Sequence, residues 1–205
     1  MAYPTVSAPY GFKPVNRQDG MPYAGATTQY AIKSVTTTIK NGDLVLITAG
    51  EVAKSGVTNN STTATNYTAG VFMGCQYVNT QGQTVQAQYY PGNAAASSAI
   101  AYVVVDQNAA YRVAVTNGSG VMSSTTVGAI GVNLVVDQTG TGSTTTGDSG
   151  IGVTAPTAGL GNSASYPVKV IGVVPETATS STAFPEVFVV LTNPQLTRAT
   201  GVDFA

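Results

Sequence analysis

Apolar residues in this chain recur at a period of two or in short continuous runs, and scarcely anywhere at a period of 3.6. In Tyr111-Arg112-Val113-Ala114-Val115 the apolar groups alternate, the spacing of a strand with one buried face. Leu44-Val45-Leu46-Ile47 is a short continuous run, the pattern of a strand buried on both faces. Asn41-Gly42, Ala49-Gly50 and Gly118-Ser119-Gly120 interrupt the runs, and such pairs are turn formers. Val, Thr and Gly are poor helix formers. Ala94–Ala99 and Ser123–Ile130 could each supply one helical turn and no more. The expectation is an all-β fold, a β-barrel or β-sandwich.

Composition narrows the chemistry. The 205 residues include no His and no Trp, and 8% are charged, against roughly 25% in ordinary soluble domains. His is the usual acid, base and metal ligand near neutral pH. Its absence predicts a structural protein rather than an enzyme, with no cofactor and no metal. A net charge of −1 and the lack of a Lys/Arg cluster argue against nucleic-acid binding. A surface with so few charges favours association with partners. Met1-Ala2-Tyr3-Pro4 opens on no apolar stretch, so no secretory signal is expected. No run approaches the ~18 apolar residues of a membrane span. Assembly in a cytoplasm follows as an expectation.

Three regions are expected. Residues 1–26 read as an extended arm, because Pro4, Pro9, Pro14 and Pro22 remove amide donors and disfavour regular structure. Its aromatic residues must dock, on their own domain or on a neighbour. Residues 27–192 read as a β-rich body, with an optional split into subdomains near 117–130. Strands are expected at 29–34, 43–47, 51–54, 71–78, 84–90, 100–106, 111–116, 131–136, 168–174 and 186–191. Residues 55–69 and 139–150 read as polar loops, the second flexible. Residues 193–205 read as a C-terminal tail.

Candidate sites are few. Gly147-Asp148-Ser149-Gly150 matches the start of a serine-protease nucleophile sequence. Without His and with no Lys nearby in sequence, Ser149 is expected to sit in a turn. Asp43, Glu51, Asp106, Asp137, Glu176 and Glu186 could pair for glycoside hydrolysis, but none lies in a motif. Asp106 and Asp137 each follow a Val-rich run and precede Gln, where Asp commonly starts a turn. Calcium binding between these two is a weaker alternative. The single Cys75 is expected to be a buried small hydrophobe. Tyr89 and Tyr90 are a candidate interface, beside the ordinary reading as half-buried strand residues.

Several segments resemble those of a group of tailed-bacteriophage virion proteins. They are Tyr10-Gly11-Phe12-Lys13-Pro14-Val15-Asn16, Pro22-Tyr23-Ala24-Gly25, Gly70–Tyr77, Tyr89-Tyr90-Pro91-Gly92, Ala99–Val103, Ser143–Gly150 and Val168–Val174. The resemblance runs through most of the chain in order and is similar to capsid decoration, or cement, proteins. It implies a non-enzymatic protein on the capsid exterior that stabilises the head by bridging major capsid proteins, as a homotrimer. The arm, with Tyr10, Phe12, Lys13 and Arg17, would then contact the capsid by adding a strand to a shell protein. Removing residues 1–26 is accordingly expected to abolish binding and leave the body folded. The alternatives are another phage structural component, a tail-tube or head–tail connector protein, or a receptor/glycan-binding module.

Overall fold

The structure, a computed structural model, describes residues 6, 8–34, 37–56, 67–92, 97–116, 129–154, 166–177 and 184–197. The strands are β1 (Lys13–Arg17), β2 (Thr28–Ala31), β3 (Ile39–Lys40), β4 (Leu44–Thr48), β5 (Glu51–Lys54), β6 (Gly70–Val78) and β7 (Thr84–Ala87). They continue with β8 (Tyr89–Tyr90), β9 (Ser97–Val104), β10 (Ala109–Ala114), β11 (Asn133–Asp137), β12 (Gly152–Thr154), β13 (Val168–Val173) and β14 (Glu186–Leu191). No α-helix occurs among the described residues.

Two six-stranded antiparallel sheets carry the fold. The first has the order β1-β10-β14-β13-β11-β12. The second has the order β2-β9-β6-β4-β5, with β7 added beside β6. β3 and β8 form a separate pair. Both sheets curl. Val115, just beyond β10, bridges Val153 of β12, and Ile32, just beyond β2, bridges Val52 of β5. The two bridges bring non-adjacent strands of each sheet together and leave β1 and β7 as edges.

Side-chain alternation sorts the core. Leu44, Val71 and Val104 join the first sheet's inward valines in one apolar cluster. Their sequence neighbours Val45, Phe72 and Val103 face the other way, into a second cluster with Ile39, Tyr90 and Cys75. A strand that serves two cores must be apolar at successive positions. That explains the run at the start of β4, where Leu44 and Val45 are both buried, while Leu46 and Ile47 are only half-buried.

Four expectations are corrected. Residues 13–17 are not an unstructured arm but an edge strand, paired from Lys13↔Arg112 to Arg17↔Ala109. An edge strand tolerates Pro14, and the register shifts between Pro14 and Asn16. The run 84–90 splits into β7 and β8, which pair with β6 and β3 respectively. The helical turn allowed at 94–99 is strand from Ser97 onward, and residues 93–96 lie outside the described residues. Segment 139–150 is loose only in part: Gly147, Ser149 and Gly150 are buried against the body, while residues 144–146 are exposed. Asn41 bridges Asp148, and Gly140 and Gly142 press so closely on Gly150 that a Cβ at Gly140 would lie 2.0 Å from the Gly150 carbonyl oxygen.

The tail begins docked. Gln195 receives a hydrogen bond from the Ile47 amide at 2.7 Å and donates to the Ile47 carbonyl at 2.6 Å. Residues 198–205, and residues 117–128 of the expected split near 117–130, lie outside the described residues.

Candidate functional site

The N-terminal segment meets the body at a crossing of three loops. Gly42 adopts φ +93°, which permits the Asn41-Gly42 turn. The Asp43 amide closes that turn on the Lys40 carbonyl at 2.9 Å. Asp43 is fully buried. Its carboxylate accepts from the Lys40 amide at 2.8 Å and from the Ser149 hydroxyl at 2.6 Å, and it pairs with Lys54 Nζ at 3.1 Å. Gly11, at φ +81°, lies against this turn, where a Cβ would approach Ser149 Cβ to 2.7 Å and the Gly42 oxygen to 2.8 Å. The Gly11 and Phe12 amides donate to the carbonyls of Ile151 and Gly42, both at 3.0 Å.

Ser149 therefore has a partner set unlike that of a nucleophile. It is 1% exposed; its hydroxyl donates to Asp43 and accepts from the Ile151 amide at 3.1 Å. A hydroxyl enclosed this way ties loops together and offers no route to a substrate. Lys54, distant in sequence, reaches the same carboxylate, which sequence spacing could not reveal.

Each of the four arm residues has an intramolecular role. Phe12 is fully buried, its ring set edge-on to Tyr111 with centroids 6.1 Å apart. The Tyr10 hydroxyl donates to Glu186, a buried carboxylate that also pairs with Arg112. Burial, reinforced by the Glu186 hydrogen bond, pushes the Tyr10 phenol above its ordinary range. Lys13 Nζ donates to Asn41 Oδ1 at 2.6 Å and to Asp148 Oδ1 at 2.7 Å. The Lys13 hydrogen bond holds the Asp148 carboxyl below the usual carboxylate range. Arg17 pairs with Asp106 at 3.2 Å and Asp19 at 3.3 Å. Phe12 and β1 are part of the body, so removing residues 1–26 is now expected to unfold it rather than leave it folded.

The second candidate pair divides. Tyr89 is half-buried, whereas Tyr90 is 2% exposed inside the second core, so Tyr90 is a core residue and not a contact surface. Asp106 and Asp137 start turns, accepting from the amides two residues on, Asn108 and Thr139, each at 2.9 Å. The repeated Val-Asp-Gln is thus one turn solution used after β9 and after β11, in different sheets. No cluster of three or more His, Cys, Asp or Glu with metal-holding geometry occurs among the described residues.

Cys75 is 1% exposed, and burial pushes its thiol up to about 12. A shallow groove of about 280 Å³ passes over it, lined by Met73, Gly74, Gln86, Ala87, Gln88 and Tyr102. The thiolate is the reactive form, so native protein is expected to resist iodoacetamide at pH 8 and to label fully in denaturant. Mass spectrometry of the two samples checks this, and rapid labelling of the native chain would contradict the burial.

The Tyr111 hydroxyl is buried without a hydrogen-bond partner, and desolvation raises its pKa, with Tyr23 and Asp106 adding to the effect. A phenol with a raised folded pKa contributes stability that is present below its unfolded pKa of about 10 and lost as pH climbs above it. Tyr111→Phe removes an unsatisfied group, so it is expected to match or exceed the parent by up to about 1 kcal/mol at pH 7. It is also expected to soften alkaline unfolding. Urea titrations at pH 7 and pH 10.5 measure both, and destabilisation at pH 7 would show that the hydroxyl has a partner.

The surface carries apolar side chains in the open. Met21, Ile130 and Leu196 are about half exposed, Ile100 and Ile171 somewhat less. Ile130 and Ile171 flank a single hydrogen bond, from the Gly131 amide to the Val170 carbonyl at 2.8 Å. Sequence periodicity alone marked none of these five as exposed.

Compared with protein-family models, with curated proteins and with solved structures, the chain matches none.

Proposed function

We propose that this chain is a non-enzymatic structural protein of a tailed-bacteriophage virion, a capsid decoration protein. In this reading it sits on the capsid exterior and bridges major capsid proteins, acting as a homotrimer assembled in the host cytoplasm. Nucleic acid and membrane have no part in it. The observation that carries the reading is a β body of two curled sheets with few charges and open apolar side chains, Ile130 and Ile171 foremost. Such a body holds apolar area for docking. The segment likenesses given above point the same way. Weak contacts suffice when many linked copies bind one shell, because avidity multiplies them.

The contact surface proposed here moves from the arm to the body. The segment 13–17 is built into the body by its pairing with β10, so it is not a free arm. Capsids lacking the protein, mixed with purified chain and imaged by cryo-electron microscopy, test the proposal. Density at regular outer sites, lost with Ile130→Asp/Ile171→Asp in a folded protein, is the expected result. Density confined to a ring in the tail or at one vertex would reassign the chain to a tail-tube or connector role. Absence from particles together with specific glycan retention would favour a receptor- or glycan-binding module.

A further inference from the structure

Three side chains from distant parts of the chain meet where β1 enters the body. Lys13 Nζ lies 2.6 Å from Asn41 Oδ1 and 2.7 Å from Asp148 Oδ1. Asn41 is 8% exposed, and its orientation is fixed, because Nδ2 donates to the Met73 carbonyl at 2.9 Å. With a C=O bond of about 1.2 Å, Nζ stands roughly 3–4 Å from Asn41 Cγ, hydrogen-bonded to the amide oxygen and one side-chain rotation from the carbon. The amine, the amide carbon and a carboxylate able to carry a proton are therefore already assembled.

We propose that Lys13 and Asn41 become joined by an isopeptide bond, with Asp148 as the proton carrier. Asp148 takes a proton from the Lys13 ammonium, and the neutral amine attacks Asn41 Cγ. The Nζ–Cγ bond forms as the carbonyl π pair moves onto Oδ1. Asp148 then delivers its proton to Nδ2, the Cγ–Nδ2 bond breaks, and the electron pair on Oδ1 restores the carbonyl. Ammonia leaves and takes up the second proton released from Nζ as ammonium. Nothing is oxidised or reduced, and no co-reactant is needed.

The surroundings suit a slow, one-way reaction. The resting state is the ion pair of Lys13 and Asp148, so a proton must move before the amine can attack and the rate is low. The side chains of Lys13 and Asp148 are 30% and 38% exposed, so ammonia escapes to solvent and the reverse reaction lacks its reactant. The competing reaction at an Asn-Gly pair is attack by the following amide nitrogen. Here the Gly42 amide donates to the Phe72 carbonyl at 2.8 Å, which holds that nitrogen out of attack. The product would fasten the edge strand to the body covalently. The inference is independent of the capsid reading, since it concerns the isolated chain.

Intact-mass spectrometry of the full-length protein, fresh and after days at 37 °C, tests it. A loss of about 17 Da is expected, together with a branched peptide joining the segments that contain Lys13 and Asn41. Lys13→Arg and Asp148→Asn, each checked for native folding by circular dichroism, are expected to keep the unmodified mass. A chain at full mass after incubation would overturn the proposal. So would a 17 Da loss found in linear peptides at Asn41-Gly42, or one that persists in Lys13→Arg, because both mark cyclisation through Gly42 instead.

Discussion

Asp43→Ala is expected to destabilise the protein by about 3–5 kcal/mol, the range for removing one partner of a buried charge pair. The carboxylate is fully buried and joins three parts of the chain: the Lys40 amide, the Ser149 hydroxyl and Lys54 Nζ. Its loss leaves the Ser149 hydroxyl without its acceptor, and the Lys54 ammonium without a counter-charge at a site only 26% exposed. For a chain of this length the melting temperature is expected to fall by on the order of 10 °C. Ser149→Ala removes the donor to Asp43 and the acceptor of the Ile151 amide, both neutral groups, so about 1–2 kcal/mol is expected. Urea unfolding of the two variants beside the parent gives the comparison. Equal, small losses would mean that Asp43 is not the point where the loops are tied.

Phe12→Ala is expected to cost a similar amount, about 3–5 kcal/mol, because truncating a fully buried aromatic ring loses its transfer free energy and leaves a cavity. The ring fills the first core between Tyr111 and the crossing loops. Deleting residues 1–26 goes further. It removes Phe12, strips β10 of its edge partner and frees Glu186 and Arg112 from Tyr10. The truncated chain is expected to lose its cooperative thermal transition. A truncated protein with parental circular dichroism and a sharp melt would show that the segment docks without supporting the body.

These two residues mark where sequence reasoning stops. Phe12 sits among prolines, and prolines argue against a central strand. They do not argue against an edge strand, and only the partner β10 settles which applies. Asp43 follows a turn dipeptide and looks like any Asp at a loop end. What makes it central is the arrival of Ser149 and Lys54, each far from it in the chain. The same reason hid the Lys13, Asn41 and Asp148 cluster: long-range convergence leaves no local periodicity to detect. Tyr90 shows the converse error. Its neighbours suggested a surface, yet its pairing with Ile39 turns it into the second core.

The sequence by itself determined the all-β class, most of the strands, the buried state of Cys75 and the turns at Asp106 and Asp137. All of these depend on side-chain alternation, β-branching and local backbone bonds, which act over a few residues. Tertiary structure alone decided that the chain makes two curled sheets sharing two cores, that the N-terminal segment is an edge strand, and that the Gly147–Gly150 motif ties loops together. Those outcomes depend on which distant segments come within hydrogen-bonding reach, and that is set by the closure of the sheets rather than by any one stretch of sequence.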